Sequence, residues 1–107
     1  MSLKAKFSWG DNRLVVPIRH LKQEKVARLL NHVYERFSRE FGLSTDNRFI
    51  TIRTADGYSL NLNDVVEDVV SDGECFILVD YGSWMKEHTG YYLHHFSNFW
   101  YLVSYFF

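Results

Sequence analysis

Residues 23–41 read QEKVARLLNHVYERFSREF, and their apolar positions are Val26, Leu29, Leu30, Val33, Tyr34, Phe37 and Phe41. Spacings of three and four residues put these side chains on one face of a helix, because an α-helix turns every 3.6 residues. Lys25, Arg28, Glu35, Arg36, Arg39 and Glu40 are among the other positions, with Lys22 just before the stretch. Gly42 follows as a natural C-terminal stop. The stripe needs no explanation beyond a core-facing surface.

Upstream, Phe7 and Trp9 and then Arg13 to Ile18 read as two short strands. Gly10-Asp11-Asn12 between them suits a hairpin turn. Pro17 lacks an N–H and marks an edge position or strand end. Downstream, Phe49 to Arg53 is a β-rich run, and Ala55-Asp56-Gly57-Tyr58 is a turn. Leu60 and Leu62 suggest a short extended piece. Asn61 or Asn63 is expected to cap a short helix containing Val65, Val66, Val69 and Val70. Cys75 to Val79 reads as a fully buried central strand, with Cys75 an inert core thiol. The order β-β-α-β-(β)-α-β implies an α+β ubiquitin-like roll, the β-grasp, of which PB1 domains are a branch. A mixed sheet of four to five strands would pack on one long and one short helix. Residues 1–81 would form this domain and 82–107 an aromatic-rich extension, with nine aromatics among residues 91–107.

Charge is strongly segregated. Met1 to Arg53 carries eleven Lys/Arg against five Asp/Glu, and Thr54 to Asp80 carries seven Asp/Glu with no Lys or Arg. A total of −1 thus conceals a +6 block followed by a −7 block. On opposite faces of a fold, such blocks would let copies dock head to tail. The near-neutral total and a pI near 6.5 argue against nucleic acid as the main partner. One cysteine excludes an internal disulfide and suits a reducing compartment. The N-terminus lacks the pattern of a secretory signal peptide, and any membrane association is expected to be indirect.

No Ser-His-Asp set, phosphate-binding glycine loop or carboxylate pair indicates an enzyme, and no cofactor is expected. His88, His94 and His95 lack companions with metal-ligand spacing. His20 and His32 read as surface residues. Tyr105-Phe106-Phe107 has the form of a PDZ ligand, but three residues are a weak signal. A ubiquitin-type modifier is disfavoured because the chain ends in aromatics rather than Gly-Gly.

Two segments resemble a known family. Phe7-Ser8-Trp9-Gly10-Asp11-Asn12-Arg13-Leu14-Val15-Val16-Pro17 is similar to the first hairpin of the Par-3 (Bazooka) N-terminal domain. Leu60-Asn61-Leu62-Asn63-Asp64-Val65-Val66-Glu67-Asp68-Val69-Val70-Ser71-Asp72 resembles that family's leucine–acid stretch. The resemblance covers roughly residues 5–80. It implies a PB1-like domain of a cell-polarity scaffold, at the cell cortex or junction, that self-associates front to back into filaments. Carried over, the basic face comprises Lys4, Lys6, Arg13 and Arg19, with Val15 as an apolar contact. The acidic face comprises Asp64, Asp68, Ser71 and Asp72. Asn61, Asn63 and Ser71 stand where the family often has acids, which lowers that face's charge. The rival expectations are hetero-association with another protein through one face, and dimerisation through the aromatic tail.

Overall fold

The computed structural model describes residues 3–44 and 47–87. Strand β1 (Lys4–Trp9) and strand β2 (Asn12–Pro17) form an antiparallel hairpin running from Lys4↔Pro17 to Trp9↔Asn12. Its turn is the dipeptide Gly10-Asp11. Gly10 takes φ 59° at the first turn position, which a type II′ turn reserves for glycine. A 3₁₀ turn (Arg19–Leu21) leads to helix α1 (Val26–Phe41). The helix starts three residues later than Gln23, because Lys25 is held in extended conformation by a bridge to Val65. It stops at Gly42 in the left-handed conformation, φ 66°.

Strand β3 (Phe49–Thr54), the one-turn helix α2 (Val66–Val69) and strand β4 (Cys75–Asp80) complete the fold. The sheet order is β2-β1-β4-β3, with β1 and β4 parallel and β3 and β4 antiparallel. Residues 58–60 fold back on β3, where the Leu60 N–H donates to Ile52 O at 2.8 Å. Residues 81–87 are helical and follow β4 directly. This is the mixed-sheet α+β roll that the element order implies.

Helix α1 lies across one face of the sheet. Its Val26, Leu29, Leu30, Val33 and Phe37 are buried against Ala5, Phe7, Val16, Ile52, Phe76 and Leu78. Phe49 meets Tyr34 and Phe37 edge-on, with ring centroids 5.5 Å apart in each pair. Such pairs add about 0.5–1.5 kcal/mol beyond their area. Val66 and Val70 seal the end of the core near the start of α1.

Two expectations are corrected by this packing. The side chain of Asn61 does not cap α2: its Oδ1 accepts the Asn63 N–H at 2.8 Å, closing a local turn. The N-cap is Val65, without a side-chain cap. Strand β4 is central but is not buried on both faces. Phe76 and Leu78 face the core, whereas Cys75 and Ile77 alternate onto the other side and are exposed. A single long helix covers only one face of a sheet, so period-2 alternation leaves Cys75 and Ile77 open, while Val79 further along the strand is buried. Cys75 is therefore not a core thiol. The aromatic segment 91–107, its PDZ-like ending, and His88, His94 and His95 lie outside the described residues.

Candidate interaction surface

Register determines which side chains share the open face. Lys6 stands opposite Val15 on β2 and opposite Cys75 on β4. Ser8 stands opposite Arg13 and Ile77, and Ile77 opposite Arg53. Directly opposed side chains lie on the same face of a sheet. Two rows result: Val15, Lys6, Cys75, and then Arg13, Ser8, Ile77, Arg53. All of these but Arg53 line a shallow depression of about 400 Å³ that reaches Ala55. Val15 is 54% exposed and Ile77 42% exposed. Among the described residues nothing covers this aliphatic centre, and cations lie around it.

Lys4, Lys6, Arg13 and Val15 thus come together on one sheet face. Arg19 does not: it lies on the 3₁₀ turn beyond Pro17. Arg53 and Ile77 belong to the face by geometry but were not among the residues singled out in the sequence. The signal that finds them is strand pairing, which a linear sequence does not display. Arg53 donates through Nη2 to Glu87 Oε1 at 3.1 Å, so the helical residues 81–87 reach back to this face.

The acidic residues occupy the end of the molecule where β1, β4 and α1 begin. Asp64 O accepts the Val26 N–H at 2.8 Å, and the Glu67 N–H donates to Lys22 O at 2.9 Å. Asp64, Glu67, Asp68, Ser71 and Asp72 are all exposed. The acidic segment is not wholly opposite the basic one. Asp72 Oδ1 accepts the backbone N–H of Lys4 at 2.8 Å, so the two blocks meet there. Arg13 pairs with Ser8, four residues along β1 from that junction, or about 13 Å. Despite this proximity, the only ion pairs among the described residues are Arg28–Glu24 and Arg53–Glu87. Among the described residues Lys4, Lys6, Arg13, Arg19, Asp64 and Asp68 make no ion pair.

Asp80 is the one buried charged residue among those described. Its Oδ2 accepts the Trp9 indole N–H at 2.7 Å, and its Oδ1 accepts the Ser83 N–H at 2.6 Å. Burial pushes this carboxyl up, but hydrogen bonds from Ser83 and Trp9 outweigh it and hold the carboxyl below its ordinary range. The role is structural: Asp80 ties the end of β1 to the start of the helical residues 81–87.

Among the described residues, no three His, Cys, Asp or Glu converge as a metal site, and no helix is long and apolar enough to cross a membrane.

Sheet order, crossover helix and register define a ubiquitin-like β-grasp domain. No protein-family model matches the chain, and neither does any curated protein. Solved structures do. The ubiquitin-like domain of EccD5 from Mycobacterium xenopi aligns at TM-score 0.53 and 22% identity, over 75% of this chain and 94% of that one. The ubiquitin of Caldiarchaeum subterraneum aligns at TM-score 0.50 and 19% identity, over the same shares. A chain of a toluene 4-monooxygenase complex aligns at TM-score 0.60 and 6% identity, over 75% of this chain and 99% of that one. These likenesses establish the fold.

Proposed function

We propose that this domain is a non-enzymatic protein-interaction module that docks front to back on copies of itself, within a cell-polarity scaffold at the cell cortex. The observation that carries the reading is the uncovered sheet face. Val15 and Ile77 form its apolar centre, and Lys6 and Arg13 lie beside them without ion-pair partners among the described residues. The exposed carboxylates of Asp64 and Asp68 supply the complementary surface at another end of the same molecule. Exposed ion pairs are worth only about 0–1 kcal/mol each. The aliphatic centre must therefore supply affinity, while the charges set orientation and partner choice. The placement in a polarity scaffold and at the cortex or junction rests on the resemblance of residues 7–17 and 60–72 to Par-3 domains.

Sedimentation across protein and salt concentration tests this. Self-association predicts mass that grows with concentration and falls with salt. A monomer at every concentration and salt level overturns it.

One observation favours the second reading, hetero-association through the basic face alone. The Asp72 carboxylate is already engaged by the Lys4 N–H, and Ser71 contributes no charge, so the acidic face is reduced to Asp64 and Asp68 with Glu67. A monomer that captures an acidic partner, and loses it on Arg13→Glu, is the outcome that distinguishes this reading.

A further inference from the structure

The flank of α1 that faces β2 carries a second cationic cluster, separate from the open sheet face. Arg28, His32, Arg36 and Arg39 fall within about 80° of helical arc. The opposite flank is fixed by Tyr34, which meets Phe49 of β3, so positions 32 and 36 turn toward the other side of the sheet. There the 3₁₀ turn brings up His20. The rings of His20 and His32 meet edge to face with centroids 5.0 Å apart.

The charged groups that act on His32 are mostly of one sign: His20 from the 3₁₀ turn and Arg36 and Arg39 from α1, with Glu35 as the opposing acid. Arg28, one turn earlier on α1, lies 4.0 Å from Glu24. His32 Nε2 is buried and makes no hydrogen bond. Burial first, and then the charges of His20, Arg36 and Arg39, hold the His32 imidazole below its ordinary 6.5 against the opposing pull of Glu35. Among the described residues Arg36 and Arg39 make no ion pair, whereas Arg28 pairs with Glu24, so positive charge outweighs negative charge along this flank.

We propose that this flank is a binding site for a phosphate monoester, held by Arg36, Arg39 and His20 with His32 behind them. A phosphate monoester carries a charge of about −1.5 to −2 and three acceptor oxygens, which suits two guanidinium forks and an imidazole better than a single carboxylate would. Bound there, it supplies the negative charge that His32 lacks, so the site and the protonation of His32 are linked. The inference is independent of self-association, since none of its residues except the neighbouring Arg19 belongs to the docking faces.

The test is an NMR titration of the His20 and His32 ring protons in the full chain with inorganic phosphate, at constant ionic strength against chloride. Phosphate is expected to raise the His32 titration midpoint, where chloride does not. Arg39→Gln, at an exposed position, is expected to weaken phosphate binding about tenfold. Arg36→Lys keeps the charge at the half-buried position and is expected to weaken it less than Arg36→Gln. A parallel arm with vesicles bearing a phosphoinositide distinguishes a lipid headgroup from a free phosphate: tighter binding to the vesicles assigns the headgroup. Equal shifts in phosphate and chloride, or a phosphate shift that survives Arg39→Gln and Arg36→Gln unchanged, overturn the proposal.

Discussion

The Trp9 indole and the Asp80 carboxylate are joined by a 2.7 Å hydrogen bond that fastens the last residue of β1 to the last residue of β4. Removing a partner from a buried hydrogen bond to a charged group costs about 1–3 kcal/mol. Asp80→Ala is therefore expected to lower the midpoint of thermal unfolding by several degrees, and Trp9→Phe by less. Thermal denaturation followed by circular dichroism measures both.

The same carboxylate gives the acid limb of stability its sign. Its folded-state pKa lies below the ordinary 3.8, so the unfolded chain binds the proton more tightly. The stabilisation is present above 3.8 and is lost as pH falls through the lowered folded value. Urea unfolding at a series of pH values is expected to show a flatter acid limb in Asp80→Asn than in the parent chain.

His32 acts in a different window with the same sign. Its pKa is lowered from 6.5, so its contribution is present above pH 6.5 and lost as pH falls through the lowered value. His32→Gln is expected to remove the part of the stability decline that begins just below pH 6.5. The Asp80 limb at lower pH should be unaffected, because the two groups titrate in different windows and neither acts on the other.

Self-association separates cleanly from folding, because the proposed contacts are exposed. Arg13→Glu and Asp68→Lys should each reduce mass growth in sedimentation without changing the unfolding midpoint. Mixed together, the two variants should stop at a dimer, since each retains one intact face. Val15→Asp should have the same effect as Arg13→Glu. Val16→Asp, one residue further along, should unfold the domain, because Val16 is fully buried.

Cys75 offers a quick check on the orientation of β4. It is the single cysteine in the chain and is exposed. A thiol reagent is expected to titrate one equivalent from the native protein without denaturant. A thiol that reacts only after unfolding would place Cys75 in the core, contrary to the register of β4.

Local sequence was sufficient for the elements and their order. The 3.6-residue stripe from Val26 to Phe41 predicts α1, Gly42 marks its stop and Gly10 marks the hairpin turn, because each of these signals depends only on neighbours in the chain. The same holds for the four strands, whose order and crossover allow few topologies. What the chain could not display was which side of each strand would be covered. Phe76 and Ile77 are both apolar and adjacent, yet one is buried and the other is open, because only one face of the sheet receives α1. Likewise Lys4 and Asp72 are 68 positions apart in sequence but share a hydrogen bond, so the charge blocks that read as separate in sequence touch in space. Periodicity encodes how a segment folds on itself; the number of layers packed on a sheet, and the register that brings Arg13, Ser8, Ile77 and Arg53 into line, arise only when distant segments meet.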